Sequence, residues 1–233
     1  MQVEIWSDVV CPWCYIGKRR FEAALARFEH RDQVEVTWRS FELDPSAPRR
    51  REGRNIERLA AKYGMSVEQA EAAQDRVSRI ADEEGLLYDL DRAQGGNSFD
   101  AHRLIHLAAE HGVQDEMKER LMAAYFVEAQ PIGDADTLEK LAVDVGLDPA
   151  EVRRVLAGDA YRQEVRADEA AASTLGISGV PFFVIDRAYG VSGAQPADTL
   201  LEVLDQAWTE SHPLTMLAGS TDAEVCEGDD CAI

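Results

Sequence analysis

The sequence is short of positive charge. Against 44 Asp and Glu it carries 24 Lys and Arg, so 44 − 24 leaves a net charge of −20 at pH 7. That balance repels phosphate backbones and anionic lipid surfaces, and it excludes nucleic acid or a membrane as partner unless a local basic patch makes the contact. The one dense cluster, Arg49, Arg50, Arg51 and Arg54, lies beside Pro45 and Pro48 and reads as a solvated loop. Long apolar runs are also missing. The longest uncharged stretch, 170–185, is broken by Ser, Thr, two Gly and Pro181, which does not suit a membrane span. Acids intrude at once after Met1, where an export signal needs a basic start and an apolar stretch, so a cytoplasmic location is expected. Cysteine is scarce too. In a reducing compartment four cysteines do not make a structural disulfide framework; they point to metal binding or redox chemistry.

What is present suits a globular chain. With 233 residues, 45% of them hydrophobic, there is ample material for one large domain or for a small domain carrying an insertion. Val3 and Ile5 alternate with Gln2, Glu4 and Trp6, a short strand pattern ending at Ser7-Asp8. Phe21, Ala24, Leu25 and Phe28 then recur at helical spacing, predicting a helix over 12–29 with Pro12 in its first turn. The alternating, β-branched run 34–41 reads as a second strand. From 55 to 175 the pattern is helical, punctuated by starts at Ser66-x-x-Gln69 and Asp148-Pro149 and by ends at Gly64, Gly85, Gly112 and Gly146. Strand character returns in Pro181-Phe182-Phe183-Val184-Ile185, with Tyr189-Gly190-Val191-Ser192-Gly193 as a hairpin partner. A last helix starts near Pro196 and presents Leu200, Val203, Leu204, Ala207 and Trp208 on one face.

The sum is βαβ, an all-helical insertion, then ββα. Without the insertion this is the thioredoxin-like α/β arrangement. The expected division is a thioredoxin-like domain from 1–54 and 176–212, a helical insertion domain over 55–175, and an acidic tail over 213–233.

Cys11-Pro12-Trp13-Cys14 sits at the first strand-to-helix junction. Thiols at i and i+3 on a helix start lie one turn apart, close enough for a disulfide after small adjustment. The unsatisfied N–H groups and positive dipole end of that helix favour a thiolate on the first thiol. Cys11 is therefore expected to attack a substrate disulfide and Cys14 to resolve the mixed disulfide. The plainer alternatives are a buried inert pair or half of a zinc site. Zinc is disfavoured because the other two cysteines lie on a remote tail, so no metal is expected.

Ser7-Asp8-x-x-Cys11-Pro12-Trp13-Cys14-Tyr15-Ile16-Gly17, joined to Gly176-Ile177-x-Gly179-Val180-Pro181-Phe182-Phe183, resembles the DsbA-like thioredoxin-fold family. Within it the sequence is most similar to the FrnE-like branch, related to 2-hydroxychromene-2-carboxylate isomerases. The resemblance spans about 1–210. It implies a thiol–disulfide oxidoreductase acting on protein dithiols and disulfides or on small thiols. It also implies that Pro181 is a cis-proline facing the dithiol, with the Val180 backbone pairing with an extended substrate segment. No cofactor is implied as a requirement; glutathione or another thiol would enter as co-substrate. Two departures matter. The dipeptide Pro12-Trp13 lacks the histidine of DsbA, so a strongly oxidising potential does not carry over. In the isomerase relatives serine replaces the first cysteine and glutathione supplies the thiol, a pattern Cys11 breaks.

Five further positions are candidates. The segment from Asn97 to His102 resembles a stretch that these relatives share near their groove, which makes Asn97 and His102 substrate-binding candidates. His102 and His106 stand at i and i+4 on a helix, but without an HExxH glutamate they read as surface or satisfied core residues rather than metal ligands. Trp13 would shape an apolar substrate surface. Cys226 and Cys231, a C-x4-C pair on the acidic tail, are similar to a C-terminal pair of some FrnE-like proteins and would relay electrons to Cys11 and Cys14. The alternatives for that pair are a local disulfide or thiols without a role.

Overall fold

The computed structural model describes residues 1–51 and 53–213. Cys226 and Cys231 lie outside the described residues. The chain runs β1 (Gln2–Ser7), α1 (Pro12–Arg27) and β2 (Glu35–Ser40), then α2 (Asn55–Tyr63), α3 (Val67–Glu83), α4 (Phe99–Glu110) and α5 (Gln114–Phe126). It continues through α6 (Ala135–Asp144), α7 (Pro149–Ala157), α8 (Arg162–Thr174), β3 (Phe182–Ile185), β4 (Tyr189–Ser192) and α9 (Ala197–Ser211). The four strands form one mixed sheet in the order β2-β1-β3-β4. β1 and β2 are parallel, in register from Gln2 opposite Glu35 to Ser7 opposite Ser40, as a βαβ unit requires. β3 runs antiparallel to β1, with Ile5 opposite Phe183, and β4 completes a hairpin.

β1 departs from its sequence pattern. Alternation predicts one buried face, yet Val3 through Ser7 are all buried. The reason is its central place with helices on both sides. Val3 and Ile5 pack with Phe183, Ile185, Phe21 and Ala24 of α1, and with Leu200 and Leu204 of α9. On the other face Trp6 packs with Ala172, Ile177 and Val184, and its indole N–H donates to the Asp168 carbonyl at 2.9 Å. Glu4 shares that face and is held by Arg39 at 2.6 Å and by Arg187 at 3.0 Å. A carboxylate at the sheet centre persists because two guanidiniums from neighbouring strand segments compensate it.

The helix boundaries have local causes. Ser66 and Gln69 form a reciprocal capping box at the start of α3. Asp134 accepts from the Thr137 amide and Asp148 from the Ala150 amide at the starts of α6 and α7. Gly64 ends α2 in the left-handed conformation with φ 63°, which a side chain would resist. The arginine cluster is neutralised within the fold: Arg49 pairs with Asp100 at 3.0 Å, Arg50 with Asp134 at 3.4 Å, and Arg51 with Asp44. Among the described residues no helix is long and apolar enough to cross a membrane.

Candidate active site

β1 ends at Ser7, and the turn from Asp8 closes with the Cys11 amide donating to the Asp8 carbonyl at 3.3 Å. Cys11 is then the residue that caps α1, in extended conformation with φ −91° and ψ 114°, and Pro12 occupies the first turn. This is the setting in which proline is preorganised for a helix start. The Cys14 amide donates to the Cys11 carbonyl at 3.0 Å, so the two thiols share the first turn. Both are free and buried, Cys11 4% exposed and Cys14 1%. Trp13 between them is 38% exposed and stands at the surface beside the pair.

The loop before β3 closes over this turn. The Val180–Pro181 peptide is cis, and Cys11 Sγ donates to the Val180 carbonyl oxygen at 3.6 Å. Gly17, one turn past Cys14, makes that approach feasible. A Cβ there would sit 2.9 Å from Pro181 Cγ, closer than packed atoms tolerate. Tyr88 anchors the other side, its hydroxyl donating to the Pro12 carbonyl at 2.8 Å while its ring stacks on Phe126 at 4.7 Å. The same tyrosine borders an open groove of about 560 Å³ with Leu86, Leu87 and residues of α3.

The polar environment comes from the inserted helices. Lys118 of α5 is buried beneath the turn, its ammonium donating to the Ser7 carbonyl at 3.1 Å. Asp8, buried as well, accepts from the Leu43 amide at 2.8 Å and contacts His102 Nε2 at 3.3 Å. Burial disfavours the Asp8 carboxylate, but the hydrogen bond and charge of His102, the Leu43 amide and Ser98 hold its pKa below the usual range.

The two buried thiols are close enough to influence each other's ionisation. Burial raises the Cys14 thiol, yet the hydrogen bond with Cys11, the Lys118 charge, the Ser7 hydroxyl and the Asp8 backbone outweigh it and lower the Cys14 pKa. Cys11 is raised well above the ordinary thiol by its hydrogen bond with Cys14, by burial and by the Cys14 charge. Besides the helix dipole that the sequence places at Cys11, the structure brings the positive charge of Lys118 to the buried side of the dithiol. A full ammonium charge in a buried site exceeds the fractional charge of a helix end. Ser7 Oγ is buried and has no hydrogen-bond partner apart from its approach to Cys14.

The remaining candidates are brought near this turn in a supporting arrangement. His102 is fully enclosed and reaches the dithiol turn through Asp8, so it lines no open surface. Asn97 accepts from the Phe99 amide at 2.9 Å, opening α4, and donates to Glu42 Oε1 at 3.3 Å. His106 diverges from His102 and contacts Ser40 Oγ and Asp168 Oδ2, each at 3.1 Å. No group of three His, Cys, Asp or Glu side chains among the described residues is arranged to hold a metal ion. Sequence reasoning missed Lys118 and Tyr88. Neither belongs to a local motif, and only tertiary packing brings them to the cysteines.

The arrangement can perform thiol–disulfide exchange: a vicinal dithiol on a helix start, a backbone carbonyl facing the first sulfur, and a buried cation for the second. The chain is 51% identical to a probable DsbA oxidoreductase, SCO1869, of Streptomyces coelicolor, covering 100% of this chain and 99% of that one with a TM-score of 0.88. It is 30% identical over 197 residues to the uncharacterized protein YwbO of Bacillus subtilis, covering 79% of this chain and 86% of the relative. The cytosolic disulfide reductase DsbM of Pseudomonas aeruginosa, solved also with GSH, shares the fold at 18% identity and a TM-score of 0.60, covering 90% of this chain and 100% of that one. The DSBA-like thioredoxin domain profile matches residues 2–205, and the chain therefore belongs to the DsbA-like thioredoxin-domain oxidoreductase family.

Proposed function

We propose that the chain is a thiol–disulfide oxidoreductase of the FrnE-like branch that exchanges disulfides with protein or small-thiol substrates through Cys11 and Cys14. The observation that carries the reading is the pair of free, buried thiols on the first turn of α1, with Cys11 Sγ against the Val180 carbonyl beside Pro181. Cys11 reacts as the thiolate that the N-terminus of α1 favours, its proton passing to solvent. Cys11 thiolate then attacks one sulfur of the substrate disulfide, forming a mixed disulfide and releasing the other substrate sulfur as a thiolate, which takes a proton from solvent. Cys14 thiolate next attacks Cys11 Sγ, expelling the second substrate thiolate and closing the Cys11–Cys14 disulfide. Two electrons pass from the dithiol to the substrate. The reverse sequence oxidises a substrate dithiol, and the partner's potential sets the direction.

Val180 and Pro181 align the substrate backbone in this scheme, and exposed Trp13 supplies apolar contact. Asn97 and His102 act at one remove, by holding the loops and Asp8 behind the dithiol. No cofactor is needed; glutathione serves as small-thiol co-substrate, and the location is the cytoplasm. Cys226 and Cys231 relay electrons between this site and partners.

The test is dithiothreitol-driven reduction of insulin by the full-length protein and by Cys11→Ser. Loss of the rate to background in the variant is expected, and a normal rate would overturn the reading. Truncation after His212 tests the relay, since unchanged potential and turnover would remove Cys226 and Cys231 from the scheme. A glutathione-dependent isomerase of aromatic or polyketide compounds would instead turn over small molecules with Cys14 replaced.

A further inference from the structure

We propose that the arginine-lined groove next to the dithiol turn is the docking site of the chain's own acidic segment 222–230. The docking goes beyond the oxidoreductase reading and does not rest on it; only its use in the relay through Cys226 and Cys231 does.

The groove is open, about 560 Å³ in volume, and its lining includes Arg50, Arg51 and Arg58 with Asp44. Over 44–58 the sequence carries five arginines against Asp44, Glu52 and Glu57. The ion pairs of this cluster leave it capacity. The Arg50 side chain is 71% exposed and meets Asp134 at 3.4 Å, a carboxylate that also accepts from the Thr137 amide and hydroxyl. A guanidinium has five N–H donors, so one long contact leaves most of them to solvent. Arg54 is exposed at the start of α2, where its side chain makes no capping bond and the helix end adds its own positive character.

The groove wall is fixed in place. The Pro48 carbonyl accepts from the Asn97 amide at 3.0 Å, and the Arg51 amide donates to the Gly95 carbonyl at 3.2 Å. Arg49 backbone packs against Gly96 and Gly133, where neither position has room for a Cβ. The guanidiniums therefore project from ordered backbone, which lowers the cost of ordering them on a ligand. Leu43, immediately before Asp44, donates its amide to the Asp8 carboxylate at 2.8 Å, and the Asp8 carbonyl accepts from the Cys11 amide. The groove thus opens on the dithiol end of the sheet.

Charge and reach select the occupant. Residues 214–233 carry Asp222, Glu224, Glu227, Asp229 and Asp230 and no Lys or Arg. Of the 44 acidic side chains, 44 − 5 leaves 39 in the rest of the chain against 24 basic ones. That body repels an acidic segment except at a local basic cluster. His212 stacks on Trp208 at 3.8 Å, and Trp208 meets Phe28, the residue after α1, so the described chain ends at the end of α1 away from Cys11. The 16 residues of α1 span about 24 Å. From Pro213, extended chain reaches about 30 Å by Asp222 and about 56 Å by Asp230. Tethering holds the segment at an effective concentration of about a millimolar, at which several individually weak ion pairs suffice. Seated there, the segment carries Cys226 and Cys231 to the end of the sheet that holds Cys11.

The test uses the full-length chain with the photo-crosslinking residue p-benzoylphenylalanine in place of Val225, kept in dithiothreitol so that no disulfide holds the tail. Irradiation and peptide mass spectrometry should place most adducts within 44–58 of the same molecule. Arg50→Glu with Arg54→Glu should cut those adducts roughly fivefold or more, and Arg50→Lys with Arg54→Lys should retain them. Salt at about 0.5 M should act on the parent as the charge reversal does, without any substitution in the groove. Adducts elsewhere in the chain, no adducts, or adducts within 44–58 that neither reversal nor salt reduces would overturn the proposal. Adducts between molecules would overturn it in favour of a second copy as occupant. Failure of the parent protein to reduce insulin would overturn the oxidoreductase reading and leave the crosslinks unchanged.

Discussion

The strand-rich part of the molecule, β1-α1-β2 with β3-β4-α9, supplies the sulfur atoms and the backbone that frames them, whereas the helices between β2 and β3 supply the charges and hydroxyls around them. Cys11, Cys14, Val180, Pro181 and Gly17 belong to the first region. Lys118 of α5, His102 of α4 and Tyr88 between α3 and α4 belong to the second. The seam between them is not a solvated interface. The outer face of β1 buries Trp6 against Ala172 of α8, and the turn after β1 buries Asp8 against His102. An inserted helical segment thus leaves the fold that carries the dithiol in place and adds buried charged and polar groups, Lys118 and His102, behind it.

Perturbing each region should separate these contributions. The largest effect belongs to the strand-rich core. Phe183 is fully buried and packs on Phe21 with ring centroids 5.6 Å apart. Phe183→Ala should lower unfolding free energy by about 3–5 kcal/mol in denaturant titration. A loss under about 1 kcal/mol would place the stabilising core in the inserted helices instead.

Asp8→Asn probes the seam. The folded carboxylate is held below its ordinary pKa, so its contribution is fully present above the unfolded value of about 4 and is lost as pH falls through the lower folded value. The parent should therefore lose stability more steeply on acidification than the variant. Near neutrality the variant should be weaker by about 1–3 kcal/mol, from unmatched donors at Leu43 and His102. Parallel acid limbs in the two proteins would remove Asp8 from the seam's electrostatics.

Gly17→Ala sharpens the comparison from the other side. The added methyl meets Pro181 Cγ at 2.9 Å, an overpacking worth about 1–3 kcal/mol, while alanine improves helix propensity by about 1 kcal/mol. Stability should fall by about 0–2 kcal/mol after that offset, yet insulin reduction should slow severalfold as the Pro181 loop is pushed from Cys11. An unaltered rate would mean that the loop's position does not matter for exchange.

Local signals made much of this legible in the sequence. The strand and helix order followed from periodicity, Ser66 with Gln69 marked a helix start, and Cys11-x-x-Cys14 after a short strand located the sulfurs. The double burial of β1 was hidden, because Glu4 and Trp6 look solvent-facing until Arg39, Arg187 and α8 cover them. Lys118 was hidden for a related reason. In Glu116-Met117-Lys118-Glu119-Arg120 it looks like an ordinary surface lysine, and only the packing of α5 under the β1 turn buries it. Helix-dipole reasoning on the first turn alone therefore misses a positive charge that packing brings to the dithiol.

In the proposed exchange Cys11 attacks and Cys14 resolves. Its most direct test is to mix full-length Cys14→Ser with a disulfide-containing peptide and to map the adduct by peptide mass spectrometry. The account predicts a stable mixed disulfide on Cys11, released by dithiothreitol and absent when Cys11 is also replaced. An adduct confined to Cys226 or Cys231, or none at all, would contradict it.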